Sequence, residues 1–258
     1  MRIFPTVREA LLEIRRDVYK SPEVPSSRVQ SVVTEHGRTH EAVYYSYGVK
    51  AAGIPYTPAE LVEVVAPILP FWEQNRQAMI NWLGRELDVR IGGFLGMDGL
   101  MGISTEQSAE SYHPELAKYF EGNEASYYYM DRLYGGAPAM IKALSQEGSR
   151  RAYWPIFREE DAIRAHRLTR IPCTLGYNWL IRPSTFLGSG WIMDAGIQQR
   201  SCDFDKFMIS DLWFTYRLTT ALAENFPVDH SFYDADVELD MVYHHAISLH
   251  AFIDSEIF

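Results

Sequence analysis

The sequence predicts a mixed α+β fold in a single domain spanning residues 1–258, and three observations carry that expectation. Capped helical segments dominate the first half, whereas short strand-like segments and helices interleave in the second. No internal repeat, linker or low-complexity segment divides the chain. Hydrophobic residues make up 47% and charged residues 22%, the proportions of a globular chain long enough to bury a core without disulfide or metal staples.

The elements follow in order. Thr6 and Glu9 have capping-box spacing, and Val7, Leu11, Ile14 and Val18 then recur on one helical face until Pro22 and Pro25. The tyrosine-rich stretch Val43 to Val49 predicts a strand. A second helix begins at Thr57, with Pro58 at its first position and Glu60 three residues after the cap; Pro67 and Pro70 limit it. A third helical segment, about Phe71 to Leu87, carries Trp72 and Trp82. Residues 92 to 102 hold five glycines among apolar residues, which predicts either a mobile lid or a buried irregular connection. Ala137 to Gln146 reads as a helix, Ala152 to Phe157 and Thr174 to Ile181 as strands, Phe204 to Asn225 as a long helix, and Val237 to His245 as a strand.

Composition excludes several classes. A net charge of −10 argues against general nucleic-acid binding, which needs a basic face to displace counterions. It leaves phosphorylated small molecules open, because a few convergent arginines grip phosphate oxygens. No uncharged apolar run approaches the length of a membrane span, and the start resembles no signal peptide. Two cysteines, Cys173 and Cys202, then predict reduced thiols and a cytoplasmic location. His244 and His245 are adjacent in a predicted strand and point to opposite faces, so no metal site is expected.

Cys173 lies at the mouth of a predicted strand, where a buried core cysteine is the ordinary alternative to a reactive one. Its company matters more. Arg150 and Arg151 follow a helix and precede a strand, and Gln199-Arg200-Ser201-Cys202-Asp203 runs from a strand end toward a helix. An arginine beside a hydroxyl near a helix N-terminus suits an anion. In the long helix, Phe207, Asp211, Phe214, Leu218 and Ala221 form one stripe. A carboxylate on an apolar stripe is costly unless paired or protonated, which makes Asp211 a functional candidate beside the alternative of a structural ion pair.

Four motifs, Ser149-Arg150-Arg151, Pro172-Cys173, Gln199 to Asp203 and Ser248-Leu249-His250, together resemble the thymidylate synthase and deoxycytidylate hydroxymethylase superfamily over about residues 130 to 252. The resemblance implies a thymidylate synthase-like mixed sheet with flanking helices, paired sheet to sheet in a homodimer. It implies that Cys173 adds to ring C6 of a pyrimidine nucleoside monophosphate, with 5,10-methylenetetrahydrofolate as one-carbon donor. Gln199 belongs to the substrate-binding motif, Arg200 and Ser201 would hold the 5′-phosphate, and Arg150 and Arg151 would reach it from the partner subunit. Asp203 would contact the ring through its backbone or water, His250 the sugar hydroxyl, and Tyr134 a water near the reacting carbon. Asp211 falls where cytosine-specific members carry aspartate; a protonated carboxyl matches the acceptor N3 and the donor amino group of cytosine.

The family also places a carboxylate on an early helix. Glu60 and Glu63 are the candidates; Glu60 sits at the capping position, which leaves Glu63, and a solvated helix face is the alternative for either. Phe252 stands where the family usually has a tyrosine, leaving ribose and deoxyribose open. The chain ends eight residues past His250, which implies that a closing segment is missing and favours hydroxymethylation, because water must reach the intermediate. The expected function is therefore 5-hydroxymethylation of a cytidine monophosphate. The alternatives are methylation of a uridylate and a nucleotide-binding relative without catalysis.

Overall fold

A computed structural model describes residues 1–19, 29–34, 37–97, 129–145, 150–165, 171–184, 191–225 and 237–252. The expectations for Pro22, Pro25, Gln146, Ser149 and residues 98–102 lie outside the described residues. Seven strands form one mixed sheet: β1 (Arg2–Phe4), β2 (Val29–Thr34), β3 (Gly37–Lys50), β4 (Tyr153–Pro155), β5 (Thr174–Pro183), β6 (Trp191–Asp203) and β7 (Val237–Phe252). Their order is β1-β3-β7-β6-β5-β4, with β2 also paired to β3. The central pair β6–β7 is parallel and is flanked by antiparallel β3 and β5. The helices are α1 (Val7–Val18), α2 (Pro58–Val65), α3 (Pro70–Gln74), α4 (Arg76–Leu95), α5 (Tyr129–Leu133), α6 (Gly136–Leu144), α7 (Glu159–Ala165) and α8 (Met208–Glu224). The mixed α+β class and its flanking helices are as the sequence predicts. Among the described residues no helix is long and apolar enough to cross a membrane.

The caps account for the early helices. Thr6 accepts a hydrogen bond from the Glu9 N–H at 3.2 Å, and Val7, Leu11, Ile14 and Val18 are buried. At α2 the box is reciprocal: Thr57 accepts from the Glu60 N–H, and Glu60 accepts from the Thr57 N–H at 2.9 Å. The expected third helix is two, α3 and α4, broken at Asn75 and running to Leu95. Gly92 and Gly93 thus belong to the last helical turn, not to a loop, and Gly96 closes it in the left-handed conformation at φ 79°. A Cβ on Gly93 would stand 2.5 Å from the Met130 carbonyl oxygen, so the glycine permits the close approach of α4 and α5.

The core divides into two clusters. One gathers α1, α2 and the early part of α4 around Tyr47, Trp72, Trp82, Trp213 and Phe214. The other gathers Phe94, Leu133, Tyr177, Trp179 and Ile197. Helix α8 spans both, with Leu212 in the first and Leu218 and Leu222 in the second.

The sheet changes phase at one level. Buried positions run Val242, His244, Ala246 and then Leu249, Ala251 in β7, and Ala195, Ile197, Gln199 and then Cys202 in β6. In β3 the change falls at Tyr44, whose φ is 52°. Strict alternation would put Gln199 and Cys202 on opposite faces; the irregularity turns both toward the helices. On the other face the registers align Gly48, Tyr243, Gly196, Asn178 and Tyr153 in one row. Tyr243 lies across Gly48 and Asn178 across Gly196, since a Cβ on either glycine would meet those side chains within 2.8 Å. This face is thereby flattened, and it carries exposed Tyr44, Leu180 and Ile247.

Thr57→Ala removes the acceptor for one of the α2 N–H groups and should lower unfolding stability by about 1 kcal/mol. Urea unfolding followed by circular dichroism, with an unchanged slope, checks this.

Candidate functional site

The site forms where the C-terminal half of β6 meets the segment before β5 and the inner faces of α4 and α8. Cys173 is half-buried. Its carbonyl accepts the Arg200 N–H at 2.9 Å. The Arg200 side chain then runs along the same segment, donating from Nε to the Pro172 carbonyl at 3.1 Å and from Nη2 to the Ile171 carbonyl at 3.2 Å. Its Nη2 also stands 3.9 Å from the Cys173 Sγ. The cationic arginine therefore fixes the backbone that presents the thiol and lies beside the sulfur, the surroundings a nucleophilic thiolate needs.

Asp211 is 14% exposed on α8. Gln199 donates from Nε2 to Asp211 Oδ2 at 2.7 Å. The Gln199 Oε1 in turn is paired with His244 Nε2. Burial pushes His244 down to about 3, with His245 adding to the effect, so near neutral pH its ring is uncharged. With the Gln199 NH₂ toward Asp211 and its oxygen toward the ring, the matching tautomer carries the proton on Nε2. Burial pushes the Asp211 carboxyl up to about 6; the Arg90 cation and the Gln199 hydrogen bond oppose this, and Glu86 adds to it.

Arg90 and Glu86 complete the network. Both are buried on α4, and Arg90 donates from Nε to Glu86 Oε1 at 2.7 Å. The guanidinium carbon lies 3.9 Å from the Tyr129 ring centroid and 4.2 Å from that of Phe214. Its Nη1 is 3.4 Å from the Tyr177 hydroxyl and 3.9 Å from Asp211 Oδ1. Sequence reasoning missed this pair. The signal was present: Trp82, Glu86, Arg90 and Gly93 recur at helical spacing, the same carboxylate-on-a-core-stripe pattern that singled out Asp211.

Adjacent residues of β6 hold two of the pairs: Arg200 stands beside Cys173, and Gln199 bonds Asp211. Ser201 and His250 meet at one end, with Oγ 3.5 Å from Nδ1, and burial lowers His250 from its ordinary value. Asp203 is directed elsewhere: its Oδ1 accepts the N–H groups of Asp205 and Lys206 at 3.0 and 3.2 Å, which turns the chain into α8. Arg150 and Arg151 are exposed just before the edge strand β4. Tyr134 is 37% exposed at the turn between α5 and α6. Glu63 is not brought to the site. Its side chain is 72% exposed and pairs with Arg76 at 2.9 Å, because α2 turns Leu61, Val62 and Val65 inward and Glu63 outward; the buried carboxylate of an early helix is Glu86. His245 bonds Ser46 Oγ on the opposite face from His244, and among the described residues no group of three His, Cys, Asp or Glu gathers to hold a metal.

Comparison with protein-family models and with curated proteins finds no match to this chain.

The sign of the Asp211 effect on stability follows from its raised value. The folded chain holds this proton to about 6, whereas an unfolded aspartate releases it near 3.8. The unfolded chain therefore binds fewer protons in this window, and the contribution of Asp211 falls as pH rises from 3.8 to about 6. Urea midpoints of wild type relative to Asp211→Asn should decline across that window and level off above it.

Proposed function

We propose that this chain is a one-carbon transferase that 5-hydroxymethylates a cytidine monophosphate. The observation that carries the reading is Asp211: a carboxyl buried on a core stripe, raised to about 6 and held by Gln199, in the same site as the Cys173–Arg200 pair. Cys173 adds to ring C6 and makes C5 nucleophilic. Asp211, neutral or sharing its proton with N3, offers a donor to N3 and an acceptor to the amino group. Ser201 would hold the phosphate and His250 the sugar hydroxyl. The donor implied by the resemblance, 5,10-methylenetetrahydrofolate, would supply the one-carbon unit. Trp72 and Trp82 are buried in the core and Tyr129 covers Arg90, so none of these rings is open to stack its pterin.

The outer face of the sheet supports the homodimer in this reading, since it exposes Tyr44, Leu180 and Ile247, apolar surface that a second sheet could cover. Arg150 and Arg151, exposed just before β4, suit a phosphate bound in the partner. Ile247→Asp, which places a charge on that face, should convert a dimer to a monomer in sedimentation velocity.

A nucleotide-binding relative without catalysis is the second reading. One observation favours it: two nitrogens of Arg200 are directed to backbone carbonyls rather than left for phosphate.

Release of tritium from C5 of cytidylates and uridylates, ribo and deoxy, with and without the folate donor, separates these readings. Wild type should release tritium from one cytidylate, and Cys173→Ala should fall to background. Asp211→Asn should move preference toward the uridylate by ~10-fold or more, because the amide then mismatches the cytosine edge. No release from any of the four substrates, with nucleotide still bound, would leave the second reading.

A further inference from the structure

Two carboxylates and one cation share the interior of the site, and their geometry is unequal. Arg90 is 2.7 Å from Glu86 through Nε but 3.9 Å from Asp211; the first is a charge-assisted hydrogen bond and the second is too long to be one. The guanidinium is held between the rings of Tyr129 and Phe214, so it is not free to swing from one acid to the other.

We propose that Arg90 is a positioning residue for Asp211: committed to Glu86 by a direct hydrogen bond, it leaves Asp211 as the acid that holds a proton and meets the base. The inference rests on the reading of Asp211 as the group facing the pyrimidine edge. One cation cannot fully pair two carboxylates, and the one without a direct hydrogen bond from that cation releases its proton less readily.

The surroundings supply no competing charge. Around the pair stand Tyr47 from β3, Tyr129 from α5, Tyr177 from β5, Cys202 from β6 and His244 from β7. Burial raises the Tyr47 and Tyr177 phenols and the Cys202 thiol and lowers His244, so all four are uncharged near neutral pH. The Tyr129 hydroxyl is within 3.2 Å of Thr174 Oγ1. Arg90 and Glu86 are thus the only full charges among the described residues that act directly on Asp211.

The test is a titration of the Asp211 side-chain carboxyl by ¹³C NMR in the whole chain labelled with γ-¹³C aspartate, the resonance assigned with Asp211→Asn. Arg90→Met should raise the midpoint by about one pH unit or more. Arg90→Lys, which keeps the charge, should stay within about half a unit of wild type. Glu86→Gln should lower the midpoint, because it removes an anion and frees the guanidinium for Asp211. An unchanged midpoint in Arg90→Met overturns the proposal; where that variant does not fold, an unchanged or raised midpoint in Glu86→Gln overturns it instead. The titration needs no substrate, so it is decided separately from tritium release: loss of the enzymatic reading would show in the exchange assay alone.

Discussion

A carboxylate placed on the inner face of a core helix has to be compensated, and the compensation of Asp211 organises this molecule. Desolvating an unpaired carboxylate costs several kcal/mol, so partners must arrive from other elements. Gln199 comes from β6, His244 stands behind it on β7, and Arg90 comes from α4. The network reaches a seam. On α8, Leu212 belongs to one hydrophobic cluster and Leu218 to the other; on α4, Trp82 belongs to the first and Phe94 to the second. Arg90 lies between the two clusters on α4, whereas Asp211 lies on α8 among residues of the first, between Ile209 and Leu212.

Much of the helical framework was legible because caps and periodicity are local. Thr6, Thr57, Pro58 and Glu60 do in the structure what their spacing predicts. Strand β6 was legible only at its end. It is the centre of the sheet, paired on both sides, and its run from Trp191 to Asp203 mixes Asp194, Gly196, Gln198 and Arg200 with apolar residues; no clean alternation survives a phase change. Gly92 and Gly93 misled in the opposite sense. Glycine pairs read as loop, but the approach of α5 requires a missing Cβ inside the helix, a tertiary demand that no local signal states.

The site divides along the same line. Cys173, Gln199, Arg200 and Asp211 could be named because they fall in motifs or break an apolar stripe. Their mutual geometry could not, since it depends on the phase change that turns Gln199 and Cys202 to one face. A capped second helix draws attention to Glu60 and Glu63, whereas the glycines at 92 and 93 hide how far α4 runs, and with it the stripe linking Glu86, Arg90 and Gly93. A pair spaced i, i+4 on a long helix usually reads as a solvated salt bridge; burial is what changes its meaning.

The same chain holds a second buried arginine–carboxylate pair, and the contrast separates a structural ion pair from a functional one. Arg132 grips both oxygens of Asp161 at 2.6 and 2.8 Å and donates to the Ile156 carbonyl, while the Arg158 N–H caps the same carboxylate at 2.8 Å. Asp161 is fully buried and both of its oxygens have direct donors; such a closed arrangement stabilises a fold and offers a ligand nothing. Asp211 has one direct donor, a cation held at 3.9 Å and 14% of its side chain open. Had Asp211 served the fold alone, α4 could have met it with the bidentate fork that Arg132 of α5 gives Asp161 of α7. Instead Arg90 is committed to Glu86 and stops 3.9 Å short of Asp211. An acid kept short of a full partner is costly for stability, and such a cost is characteristic of positions that serve something besides the fold.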